Sequence, residues 1–230
     1  MATTRLKKKI IKLSRTQLLF LSIAILLLLP ILITGTVSLS KQYAEHKRFL
    51  KLSQNVTEGN LPDFIDVQLI DIDGAARRGT KLDSVKNIVI HYVGNPMSSA
   101  QANRDYFDNE GTEVSSHFVV GLKGEIIQCV PLDEKSSASN HRNNDTISIE
   151  ICHPDETGKF NDTTYKSVIK LSAWLCEAFD LTADDLIRHH DVTGKNCPKY
   201  YVENEDAWEK LKEDVNEYIK ENPDYYKEKE

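Results

Sequence analysis

Thr146-Ile147-Ser148-Ile149-Glu150-Ile151-Cys152-His153 is the stretch that decides the architecture. Successive side chains of an extended chain point to opposite faces, so Ile147, Ile149 and Ile151 share one face. Ser148, Glu150 and Cys152 share the other. Three isoleucines in register predict a strand lying on a core. Glu150 is then a carboxylate on a strand that is otherwise largely apolar, which is costly unless it meets a partner or a polar cleft.

Short apolar runs divided by Gly, Asn and Asp continue on both sides of this strand, from Pro62 onward. Strands are predicted over 87–93, 117–120, 125–130 and 146–153, with Leu122-Lys123-Gly124 turning the second into the third as a hairpin. Apolar residues at helical spacing mark two helices. One is capped by Thr163-Thr164 and carries Val168, Leu171, Leu175 and Phe179; the other runs over 207–219 with Trp208, Leu211, Val215 and Ile219. A shorter helix is expected over 98–107. Strands interspersed with helices predict an α/β domain.

The N-terminus has a different character. Residues 1–40 hold six basic residues (Arg5, Lys7, Lys8, Lys9, Lys12, Arg15) and no acid. The chain has 29 basic and 35 acidic residues in all, so 41–230 holds 23 against 35, a net of −12. Such an acidic body argues against nucleic acid as a partner, since phosphates require a positive face. Residues 18–39 are uncharged and rich in Leu and Ile; as a helix they span roughly 33 Å, enough for a hydrocarbon core of about 30 Å. A cleaved signal peptide has a shorter apolar stretch and ends in small residues of the Ala-x-Ala kind, which are missing from Thr34-Gly35-Thr36-Val37-Ser38. The expected organisation is a cytoplasmic basic tail (1–16), a transmembrane anchor (17–39), a polar stalk (40–61), the α/β domain (62–222) and a charged tail (223–230). Basic residues ahead of the anchor hold the N-terminus inside, which places the domain outside the cell on a single-pass membrane protein.

His91 closes the run Asn87-Ile88-Val89-Ile90-His91-Tyr92, and Ile187-Arg188-His189-His190-Asp191-Val192-Thr193-Gly194-Lys195-Asn196-Cys197-Pro198 is a dense polar cluster. His91, His189 and Cys197 read as ligands of one zinc ion. Two imidazoles and a thiolate suit tetrahedral Zn2+ and leave a fourth position open, the mark of a catalytic site. The other cysteines, Cys129, Cys152 and Cys176, form no CxxC pair, and Cys129 and Cys152 lie in apolar runs that favour buried thiols.

From about 66 to 218 the chain resembles the zinc-dependent N-acetylmuramoyl-L-alanine amidases of the phage-lysozyme and peptidoglycan-recognition type. The resemblance rests on four motifs in the family's order. They are Ile88 to Tyr92; Ser115-Ser116-His117-Phe118-Val119-Val120 with Gly124-Glu125-Ile126-Ile127-Gln128; Ile147-Ser148-Ile149-Glu150-Ile151; and Arg188-His189 through Pro198. It implies a mixed central sheet flanked by helices, and hydrolysis of the amide between N-acetylmuramic acid and L-alanine in peptidoglycan. The family's spacing selects His189 over His190 as second ligand, makes Glu150 the general base, and gives Lys195 the stabilisation of the developing oxyanion. His141 falls in a loop that lines the glycopeptide groove in relatives. A tyrosine that assists catalysis in some relatives is replaced here by Ser116, so that role does not carry over. Two other readings compete: a non-catalytic peptidoglycan-binding module, whose relatives typically lack the cysteine ligand, and a cysteine peptidase that uses Cys197 with a histidine.

Overall fold

A computed structural model describes residues 14–57, 61–72 and 74–223. The basic residues at 5–12 and the tail past 223 lie outside the described residues. The chain separates into two compact units, 1–45 and 46–230. Helix α1 runs from Arg15 to Thr57. One described stretch, Leu26–Gln54, is long and apolar enough to cross a membrane by length and composition. Within its apolar part Thr34, Thr36 and Ser40 donate their hydroxyls to carbonyls three residues back, so these polar groups are satisfied inside the helix.

In the second unit the last turns of α1 are part of the fold, although the sequence reads them as stalk. Phe49 is buried and stacks on Phe179 at 6.5 Å between ring centroids, and His46 Nδ1 donates to the Asp83 carbonyl at 3.0 Å.

The domain is built on a six-stranded sheet in the order β1-β4-β3-β5-β2-β6. The strands are β1 (Ile65–Val67), β2 (Asn87–Ile90), β3 (Phe118–Val120), β4 (Ile126–Gln128), β5 (Thr146–Ile151) and β6 (Leu186–Arg188). Only the β3–β4 hairpin is antiparallel; every other neighbour is parallel, so the sheet is mixed. Strand β5, the alternating stretch, lies at its centre, with Ile147 opposite Ile88 and Ile149 opposite Ile90 on β2.

Ile147, Ile149 and Ile151 are fully buried under helices α3 (Asp162–Phe179) and α6 (Glu205–Glu221), against Val168, Leu171, Leu175, Trp208 and Leu211. Full burial of an aliphatic side chain contributes about 1.5–3 kcal/mol, so this face holds the sheet to its helices. The opposite face is covered as well, by a smaller cluster that includes Val119, Ile127, Cys129 and Cys152 with Ala100 and Phe107 of α2 (Ala100–Phe107). The four cysteines are free thiols and buried.

Element ends differ from expectation by a few residues. Asn161, one turn ahead of Thr164, caps α3 by accepting from the Thr164 N–H at 2.9 Å. The Thr164 hydroxyl is spent on the Gly121 carbonyl and ties α3 to the hairpin. Strand β2 stops at Ile90, yet His91 N–H and Val93 N–H still donate to the Ile149 and Ile151 carbonyls at 2.9 and 3.1 Å. That continuation holds His91 alongside Glu150 at the carboxyl end of the strands.

Candidate metal centre and cleft

Three parallel neighbours, β5, β2 and β6, end on the same side of the sheet and deliver the chemistry there. His91 follows β2, Glu150 is the penultimate residue of β5, and His189 follows β6 at the start of α4 (His189–Thr193). A crevice outside the carboxyl ends of parallel strands is the usual binding position in open α/β sheets. Cys197 comes from the loop after α4, which is folded back on itself: Cys197 O accepts from the His190 N–H and Cys197 N–H donates to Lys195 O, at 2.9 and 2.7 Å. His190 Nδ1 donates to the same Lys195 carbonyl at 3.1 Å, so its ring braces the loop.

His91, His189 and Cys197 are buried and present one ligand atom each within 4.8 Å of one another. The two Nδ1 atoms face each other at 3.1 Å, and Cys197 Sγ is 3.9 Å from His91 Nδ1. Both outward nitrogens are already engaged. His189 Nε2 donates to Asn140 Oδ1 at 3.1 Å, and His91 Nε2 meets Ser139 Oγ at 3.2 Å. This leaves Nδ1 of each ring for a shared cation, with the outer partners fixing ring orientation as in other histidine metal sites. The donor set of two imidazoles and one thiol fits zinc.

Ser139 and Asn140 are the residues that sequence reading does not single out. Their loop is pinned by Asn143 Oδ1, which accepts from the Ala138 and Ser139 N–H groups at 3.1 and 2.6 Å. Asn140 has φ 53, a left-handed conformation that asparagine tolerates better than most residues. Only the fold reveals this contact, which crosses 49 residues of sequence.

Burial lowers the pKa of His91 well below the ordinary value, with His189 and Lys195 adding to the effect; burial and then Lys195 lower His189 too. Both shifts favour the neutral ring, the form that ligates metal. Burial pushes the Cys197 thiol up to about 12, with the Glu150 charge adding and the Tyr92 backbone and Lys195 opposing. That is the reverse of an activated cysteine nucleophile and disfavours the peptidase reading. A divalent cation in the centre would deprotonate a coordinating thiol outright.

Glu150 Oε1 lies 3.9 Å from His91 Nδ1, while its Oε2 is enclosed with no hydrogen-bond partner. The side chain keeps 20% exposure, towards the cleft. Burial pushes its carboxyl up to about 8, and the Lys195 charge opposes that. Lys195 is exposed on the cleft wall beside Thr193 and Gly194. The strand argument for a carboxylate facing a polar cleft therefore agrees with its position.

His141 is exposed on a 3-10 turn, Asn140–Asn144, whose Asn140, Asn143 and Asn144 line the cleft while His141 stands outside the lining. Asp191 accepts from the Arg188 N–H at 2.8 Å and from its guanidinium; it caps α4 and touches no imidazole. His117 is fully buried and structural: its Nδ1 accepts from the Ser148 N–H and its Nε2 donates to the Glu134 carbonyl. The cleft as a whole is open and holds about 1330 Å³.

Comparison with known proteins finds a matching family and several relatives. The family model described as N-acetylmuramoyl-L-alanine amidase matches residues 81–200. The chain is similar to N-acetylmuramoyl-L-alanine amidase BlyA of Bacillus subtilis (strain 168), 33% identical over 156 residues, covering 59% of this chain and 42% of that protein. It is also similar to N-acetylmuramoyl-L-alanine amidase CwlL of Bacillus licheniformis, 30% identical over 150 residues, covering 58% of this chain and 41% of that one. This chain thus spans about two fifths of the length of these relatives. Among solved structures the catalytic domain of XlyA matches with a TM-score of 0.58 and 25% identity, over 66% of this chain and 98% of that domain.

Proposed function

The chain belongs to the N-acetylmuramoyl-L-alanine amidase family, and from that premise we propose that it hydrolyses the amide joining the lactyl group of N-acetylmuramic acid to L-alanine in peptidoglycan. The observation that carries the proposal is Glu150: a half-buried carboxylate with one enclosed, unpartnered oxygen, opening on a cleft 3.9 Å from one of three convergent metal-ligating side chains. His91, His189 and Cys197 are proposed to hold one zinc ion. Bound there, zinc supplies Lewis-acid polarisation of the scissile carbonyl and acidifies water.

The remaining steps belong to the protein. Glu150 accepts the proton of the attacking water and returns it to the alanine nitrogen as the C–N bond breaks, so one carboxylate serves as base and then acid. Burial raises this carboxyl towards neutral pH, which suits the return of the proton to the leaving nitrogen. Lys195 places its ammonium where negative charge grows on the carbonyl oxygen. Ser139 and Asn140 keep both imidazole rings aimed at the centre.

The helix that precedes the domain is proposed as a single-pass anchor over 17–39, with the basic residues inside and the domain facing the wall. The proposed organisation keeps the tail, anchor, stalk and catalytic segments at the boundaries read from the sequence, with the refinement that 46–57 packs on the domain. His141 is proposed only as a residue at the groove's edge.

Digestion of purified peptidoglycan with the protein, followed by mass spectrometry of the new ends, tests the reaction. Free lactyl carboxylates and L-alanine amino termini are expected. Binding to the polymer without new ends would instead identify a recognition module.

A further inference from the structure

The cleft continues past the metal centre along a wall that includes Ala75, Arg78 and Thr80. Arg78 stands apart from the other arginines of the domain. Arg48 pairs with Asp180, Arg77 with Glu134, Arg104 with Asp108, Arg142 with Asp145 and Arg188 with Asp191. Among the described residues Arg78 has no carboxylate partner, and it is exposed on the cleft.

Its backbone is nonetheless firmly set. Ala75 O and Ala76 O accept from the Ser137 and Ser115 hydroxyls. Arg77, the preceding residue, is buried with its guanidinium on Glu134 at 2.8 Å and on the Ile70 carbonyl. Beyond it, Gly79 takes φ 63, and Thr80 O accepts from the Lys135 N–H at 2.7 Å. A guanidinium without a carboxylate partner among the described residues, on a wall fixed on both sides, loses little backbone freedom on binding an anion.

The charge balance points the same way. Residues 41–230 carry a net of −12, yet the cleft is lined by Arg78, Lys135 and Lys195 against Glu113 and Glu150. Lys135 is spent on Asn144 and Asp83, at 2.9 and 3.6 Å, and Lys195 stands near the reacting centre. Arg78 is the cation left for a substrate anion.

We propose that Arg78 is a specificity-determining residue that binds a carboxylate of the substrate held in the cleft, favouring peptides that present a free acid there over those in which it is a carboxamide. The planar guanidinium matches a carboxylate with two parallel N–H donors and offers no comparable match to an amide. This reading rests on the muramoyl-peptide cleft proposed above.

The test uses the full-length chain in detergent and two probes, a muramoyl dipeptide with a free carboxylate on its second residue and the same compound with that group amidated. Binding is measured by calorimetry in a Glu150→Gln background, where turnover is suppressed, and hydrolysis is measured in the parent. The parent should bind the acid about tenfold more tightly than the amide, and Arg78→Gln should abolish the difference by weakening the acid alone. In hydrolysis the same substitution should raise KM for the acid and leave kcat unchanged. Arg78→Lys should restore only part of the preference. Equal affinity for both probes, or an equal loss on both in Arg78→Gln, overturns this proposal alone. Failure of the parent to bind either probe overturns it together with the muramoyl-peptide reading.

Discussion

Acidification should destabilise this protein through His117, and the size of the effect follows from its surroundings. The ring is fully buried, with Nε2 donating to the Glu134 carbonyl at 2.9 Å and Nδ1 accepting from the Ser148 N–H at 3.0 Å. A proton added at Nδ1 would face the Ser148 N–H donor, and the Ser148 hydroxyl within reach at 3.1 Å already accepts from the His117 N–H. Burial accordingly lowers the pKa from 6.5 to about 4, against a smaller opposing pull from Glu134. Because the folded value lies below the unfolded one, the unfolded chain takes up the proton first. The stability is therefore complete above about pH 6.5 and is lost as pH falls towards 4. A difference of roughly 2.5 units at 1.36 kcal/mol each amounts to roughly 3 kcal/mol, most of it lost by about pH 4.5. His91 and His189 shift in the same direction, so the comparison must cancel them. His117→Gln does so, since its amide donates to Glu134 and accepts from Ser148 without titrating. Denaturant unfolding of both proteins between about pH 7.5 and 4.5 should show the parent losing roughly 2–3 kcal/mol more than the variant. Parallel stability curves would refute the reasoning.

Three further outcomes are expected. Glu150→Gln should fold and retain metal while turning over muropeptide at least ~100-fold more slowly, as measured by release of free alanine amino groups; near-parental turnover would assign the proton transfer elsewhere. Ser139→Ala removes the partner of His91 Nε2 and should weaken zinc affinity about 10–100-fold in a chelator competition, with little change in unfolding midpoint once metal is saturating. Protease added to intact wall-stripped cells should degrade the domain and leave a small membrane-bound N-terminal fragment; a fully protected domain would reverse the orientation.

Much of this architecture is written in local patterns. The alternation in 146–151 placed the isoleucines on the core face and left Glu150 on the other, because a strand's period of two is a property of the backbone alone. The cluster around His189 and Cys197 is equally legible, since the two ligands lie only eight residues apart, one at the start of a short helix and the other in the loop after it. What the sequence does not disclose are contacts between distant segments. Ser139 and Asn140 meet the two ligand histidines only after β2, β5 and β6 have paired. Phe49 reads as stalk because one buried aromatic in a charged helix has no periodicity to announce it. His117 is enclosed by Ser148 and Glu134 only once these distant segments have come together. The second covered face of β5 is hidden for the same reason, since Ser148 reads as polar and Glu150 as cleft-facing, although Cys152 already reads as a buried thiol.

The account turns on His91, His189 and Cys197 holding one catalytic metal, and metal analysis of the purified protein tests that most directly. The expected result is about one equivalent of zinc per chain, with most of it lost in Cys197→Ser. Full zinc retention in that variant would contradict the assignment of the centre and the chemistry built on it.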